Sequence, residues 1–305
     1  MTDPVAVPTA AAVAPVPSRN GRGILSRLRS QGFLALLGGS ILLAILLAAI
    51  VLPEVIGIDP NAQSLRDRLT PPRTVAGETG MYHLLGTDAL GRDILARLLV
   101  GARYSLFISF AAVLGALIVG TSVGLVAGFV GGLVDDLLMR ITDLQLSFPI
   151  VLLALALVSL LGPSLSNVIL VFSLTSWPVF ARTVRSSTLT IKERAFIEAA
   201  RGIGSGRIRI MLRQILPNAL GPLIVIATFE LAKVLIYESS LGFLGLGVQP
   251  PTATWGNMMA EGRNYITTSY WITLFPGLAL VLAAASANWL GDGLNQLVDP
   301  KLRAR

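Results

Sequence analysis

A single histidine, His83, and no cysteine stand in a chain of 305 residues. Thiolate nucleophiles, disulfides, sulfur-ligated metals and any two-histidine metal site are therefore excluded. Phosphate-loop chemistry is excluded too. No G-x4-G-K-[ST] occurs, and Gly202-x-Gly204-x-Gly206 has neither the lysine nor a preceding strand. The ionisable groups that could act gather in two places. In an apolar run, Glu230, Lys233 and Tyr237 follow one another at i, i+3 and i+7, with Glu238 next along. The first three share a helical face. A lysine at the centre of a membrane-crossing helix costs ~2.5–3.5 kcal/mol on insertion scales. Such groups either pair with each other or line a polar path, which makes all four candidates for a pathway or gate. The second place is basic: residues 182–217 hold eight Lys and Arg against Glu193 and Glu198. His83 reads as an ordinary loop residue. Asp135, Asp136 and Asp143 near Arg140 read as a solvated inner turn, and Trp255 as an anchor at the membrane interface.

The elements that hold these residues must sit in a membrane. The chain is 53% hydrophobic and 13% charged, about half the charge of a soluble domain. Uncharged runs cover residues 31–53, 104–134, 144–181 and 264–291. About 20 such residues cross a bilayer, and the third run, broken by Gly162-Pro163-Ser164, is long enough to cross twice. The expected spans are 33–52, 104–131, 148–161, 165–181, 219–237 and 270–290. This predicts an all-α membrane protein with six transmembrane helices. Arg19, Arg22, Arg27 and Arg29 ahead of the first span put the N-terminus in the cytoplasm. Six crossings return the C-terminus there, with Lys301, Arg303 and Arg305. The net charge of +7 then reflects cytoplasmic loops and not nucleic acid. Against this topology, the first outer loop carries Arg66, Arg68, Arg73, Arg92, Arg97 and Arg103 among Asp59, Asp67, Glu78, Asp88 and Asp93.

Three regions follow: 1–30, a disordered tail with a basic flank; 31–103, the first span with an outer loop; and 104–305, a core of five spans with the cytoplasmic loop 182–217. Residues 88–103 have helical apolar spacing with arginines between, which fits an amphipathic helix on the outer membrane surface or one capping the bundle. Gly120, Gly124 and Gly128 form a small-residue stripe on the second span that lets another helix approach closely. In the basic loop, 192–201 is rich in helix formers. Three glycines break it, and a second helix over 208–215 stops at Pro217. Helix, glycine turn and helix make an elbow standing out of the membrane, with Ala199 and Ala200 as a small-residue docking surface.

Glu198-Ala199-Ala200, then Gly204, then Gln214-Ile215-Leu216-Pro217 resembles the EAA loop of ABC importer permeases, although the general pattern often has isoleucine at position 214. The stretch His83-Leu-Leu-Gly86-Thr87-Asp88-x2-Gly91-Arg92-Asp93 with Gly101-Ala102-Arg103-Tyr104-Ser105-Leu106 is similar to the dipeptide/oligopeptide/nickel subfamily. So is Glu238-Ser-Ser-Leu241-Gly242-Phe243-Leu244-Gly245-Leu246-Gly247 through Pro250-Pro251 to Trp255-Gly256. Within it the chain resembles the second of two homologous permease subunits. The resemblance implies a type I importer permease fold and a non-catalytic subunit without cofactors of its own. It makes Glu198, Ala199, Ala200, Gly204, Leu216 and Pro217 the coupling residues. Implied partners are a second permease, two ATPase subunits or domains that bind ATP and Mg, an extracytoplasmic solute-binding protein, and the bilayer. Implied cargo is di- or oligopeptide, with nickel or a glutathione-like solute as alternatives. A proton-coupled secondary transporter using Glu230 and Lys233 as a relay stays open on the residues alone.

Overall fold

The computed structural model describes residues 22–76 and 80–298. The tail expected over residues 1–18 lies outside these residues, as do Arg19, Glu78, Lys301, Arg303 and Arg305. Helix α1 (Arg22–Ile56) opens the described chain, and its apolar part, Phe33–Ile56, is long enough to cross. The basic flank from Arg22 onward is therefore already helical.

A small outer cap follows. It contains a 3-10 turn (Leu65–Asp67) and two short antiparallel strands, β1 (Thr74–Val75) and β2 (Tyr82–His83), with Thr74 opposite His83. His83 is buried, with Nδ1 2.8 Å from Asp93 Oδ2. Asp93 Oδ1 in turn accepts from the Ala96 amide at 2.9 Å and caps the next helix. The lone histidine is thus fastened to a helix start and is not a free loop residue.

That helix, α2 (Ile94–Val130), has 37 residues, about 55 Å at 1.5 Å per residue against a ~30 Å hydrocarbon core. It runs unbroken through residues 103 and 104, so the division drawn there meets no break in the chain. The separate surface helix expected over 88–103 does not form either. Its arginines are not turned to solvent: Arg92 and Arg97 are buried against acids from elsewhere in the cap, and Ile94 is fully buried. With the polar side covered by protein, the helix simply continues into the span.

The expected solvated turn near Asp135 is instead helix α3 (Gly132–Leu146), followed after an 88° bend by α4 (Ile150–Leu161). Pro149 stands at the bend, where it cannot extend α3. Among the described residues five helices are each long and apolar enough to cross, and the bent pair supplies a sixth crossing if its halves make one span. Helix α5 (Leu165–Lys192) lies antiparallel to α3. Asp135 pairs with Arg185 (2.5 Å), Asp143 with Arg182 (2.5 Å), and Gln145 Nε2 donates to the Leu174 carbonyl (2.5 Å). These pairs explain why α5 passes the expected end at residue 181 by eleven residues: acids on α3 meet the first arginines of the basic segment. The stripe on α2 sits against α5. A side chain at Gly120 would strike the Trp177 carbonyl, one at Gly124 the Ala181 carbonyl, and one at Gly128 the Thr188 Cβ at 2.8 Å.

Helices α6 (Ala195–Gly202) and α7 (Arg207–Ile210) form the elbow, and a π turn (Met211–Ile215) leads into α8 (Leu216–Phe243). Pro217 does not stop the second elbow helix as expected. It occupies the first turn of α8, where its missing N–H is tolerated, and the wide π turn ahead of it makes room for its ring. Outside, α9 (Trp255–Gly262) starts with a capping box in which Thr254 and Asn257 exchange hydrogen bonds. Trp255 is buried against Ala102, Leu106 and Leu235, and its Nε1 donates to the Leu98 carbonyl. It is a core residue, and the membrane-interface role is corrected. Helix α10 (Trp271–Val298) closes the bundle.

Candidate coupling elbow and transmembrane charge pair

On α6, Ile197 and Ala200 are buried while Phe196, Glu198 and Ala199 face outward. The triplet expected to dock is therefore split, with two residues exposed and one alanine used for packing. The helix ends in a Schellman arrangement: the Ser205 amide donates to the Ala200 carbonyl and the Gly204 amide to the Arg201 carbonyl, both at 3.0 Å. Gly204 has φ +79°, and a side chain added there would meet nothing within 4 Å. Glycine is required at this position by the left-handed backbone and not by crowding. Leu216 is half-buried and Pro217 exposed at the head of α8. The six residues expected to couple thus lie on the elbow and at the head of α8.

Farther along α8 the second group appears. Glu230 lies fourteen residues past Leu216, about 21 Å along a helix of about 42 Å, and so near its middle. It is buried and forms an ion pair with Lys233, whose side chain is 48% exposed. Tyr237 is half-buried on the same side of the helix. Glu238 is turned away into the junction of α2, α8 and the start of α9. There Ser239 Oγ donates to its Oε2 (3.3 Å), the Ser105 and Thr254 hydroxyls face it, and Oε1 makes no hydrogen bond. The four residues named from sequence divide into a charge pair with an exposed edge and a separate buried carboxylate.

Sequence reasoning missed the outer ion cluster. Arg92 Nε meets Asp88 (2.6 Å) and its Nη2 meets Glu261 (2.6 Å). Arg97 Nη2 also reaches Glu261 (3.1 Å), and its Nε lies 3.6 Å from Asp88. The cluster ties the loop before α2 to α9, some 160 residues later. Nothing local to Glu261 announced it. The surplus of arginines in the outer loop was the available signal, because buried arginines require partners. Among the described residues no group of three or more acids and histidine is placed to hold a metal ion.

Comparison with known proteins adds three findings. The family model described as "Binding-protein-dependent transport system inner membrane component" matches residues 120–304. The chain is 42% identical to the di/tripeptide transport system permease protein of Pseudomonas aeruginosa, covering 88% of each. It is 41% identical to a dipeptide transport system permease protein of Alkalihalophilus pseudofirmus (89% and 87% covered), and 41% to a glutathione transport system permease protein of Pectobacterium atrosepticum (73% and 74%). Among solved structures, the inward-facing MetNI methionine ABC transporter resembles it with a TM-score of 0.55 at 21% identity, covering 68% of this chain and 98% of that one. That likeness concerns the fold alone. The chain belongs to the family of binding-protein-dependent transport system inner membrane components and is a transmembrane permease subunit without catalysis of its own.

Proposed function

We propose that this subunit forms half of the translocation pathway of an ATP-driven importer for di- and oligopeptides. An extracytoplasmic binding protein delivers the solute, a homologous permease supplies the other half, and two ATPase subunits or domains hold ATP and Mg. Both termini are cytoplasmic in this reading, and so is the elbow. The observation that carries it is the outward-facing Glu198 and Ala199 on a helix terminated by Gly204 and joined to α8 through the glycine turn, α7 and the π turn. A push on that surface moves the helix that bears the mid-membrane charge pair. ATP shifts such an equilibrium only by binding the two conformations unequally, so the ATPase must grip the elbow differently in each.

Glu230, Lys233 and Tyr237 border the pathway or its gate, and Glu238 supports them from the outer junction. The names of the peptide permease relatives favour peptide cargo, and one relative's name favours a glutathione-like alternative. Co-purification tests the coupling. Glu198→Arg together with Gly204→Trp should strip the ATPase subunits from the complex, and recovery of those subunits at full yield would refute the docking role. For cargo, the solute that stimulates ATP turnover in the purified assembly identifies it; indifference to every peptide tried would exclude the peptide reading.

A further inference from the structure

At the inner end of α2 lies an opening of about 400 Å³, lined by Phe129, Val130, Arg201, Ser205, Arg207 and Ile210. Two arginines and a hydroxyl meet there from opposite sides of the elbow's glycine turn. The Arg201 guanidinium stands 6.0 Å from the centre of the Phe129 ring. Stacking of this kind orients the group while leaving its N–H donors free. Arg182 and Arg185 on α5 are each paired with an aspartate. By contrast, among the described residues no carboxylate pairs with Arg201 or Arg207. The segment from Lys192 to Arg213 carries six cations and two acids, so the local balance around the cavity is cationic.

Two guanidiniums and a hydroxyl around one space suit a group with several acceptor oxygens, of which phosphate is the plainest. The position selects its source. Phe129 and Val130 are the last residues but one and last residue of a membrane-crossing helix, and Val130 is 56% exposed. The opening therefore sits at the inner end of a span, with an apolar wall on one side and a cationic wall on the other. Basic pockets at the cytoplasmic ends of spans attract the head groups of anionic lipids. We propose that this opening seats the phosphate of an anionic phospholipid from the cytoplasmic leaflet, and that the lipid braces the elbow against α2. The membrane side rests on the coupling reading above; the binding itself does not.

The complete transporter, reconstituted in nanodiscs of phosphatidylethanolamine alone or with phosphatidylglycerol, provides the test. Mass spectrometry of the intact complex counts retained phosphatidylglycerol, and solute-stimulated ATP turnover is read in parallel. A third arm adds inorganic phosphate to the phosphatidylethanolamine discs. Arg201→Gln with Arg207→Gln should bind phosphatidylglycerol about fivefold more weakly per arginine removed and lose its stimulation of turnover, with ATPase subunits still bound. Arg207→Lys, which keeps the charge, should retain most of the lipid. Equal lipid retention by wild type and the double variant overturns the proposal, as does inorganic phosphate reproducing the lipid's effect. Loss of the ATPase subunits from the double variant also overturns it, since the arginines would then belong to the docking surface. Failure of the coupling reading would show in Glu198→Arg and leave the lipid count unchanged, so the two failures are distinguishable.

Discussion

Glu230 and Lys233 share one ion pair but not one environment, since the carboxylate is buried and the lysine half-exposed. Removing the lysine strands a buried charge, which typically costs about 3–5 kcal/mol, whereas removing both ends is often close to neutral. Lys233→Met should therefore lower the thermal unfolding midpoint in detergent more than Glu230→Gln combined with Lys233→Met. If the single and double variants unfold alike, the pair contributes nothing to stability. At Gly204 the strain is in the backbone: alanine should cost about 1–2 kcal/mol locally, and asparagine, which tolerates the left-handed region, less. Coupled ATP turnover would report this order, with alanine falling below asparagine. Spacing put Glu230 and Lys233 on one face without choosing between a pair and a polar path, and Gly204 was singled out by the resemblance to the EAA loop. The hidden orientation of Glu238 could not be read from the sequence, because it depends on Ser105 and Thr254, which arrive from other elements.

Helix boundaries were the least legible feature, and the reasons are specific. Charges were expected to end helices at Ala181 and before Tyr104, yet α5 and α2 run on because Arg185 and Arg97 find acids on neighbouring segments. Pro217 was expected to end a helix and instead begins one, because the π turn at Met211–Ile215 absorbs its geometry. The small-residue stripe was legible, since spacing alone put Gly120, Gly124 and Gly128 on one face. Its partner, α5, was not. Gly124→Leu has no space against the Ala181 carbonyl and the Val184 side chain. It should abolish accumulation of the folded subunit, as measured by fluorescence-detected size exclusion, while the same change at solvent-open Gly202 should leave accumulation near wild type.

Membrane class and the apolar segments emerged from composition and run length. Among the described residues five helices are long enough to cross, and α4 makes a sixth crossing only together with α3, a segment expected to be an inner turn. The outer closure of the molecule was invisible until the chain was folded, because Arg92 and Arg97 meet Glu261 across more than 160 positions. Glu261→Gln leaves two buried guanidiniums sharing one aspartate. It should lower global stability by about 3 kcal/mol, seen as an earlier thermal midpoint, and a midpoint within error of wild type would make the cluster ornamental. One helix joins this closure to the inner cavity. Arg97 stands in its first turn and Phe129 next to its last residue, with no proline between them to supply a kink. The close-fitting α5 lies along its inner half, from Ala112 to Gly128, so the inner half of α2 and α5 move as one stiff unit. A displacement imposed on that unit from the inner side is carried to the outer cluster, because no joint in α2 lies between them.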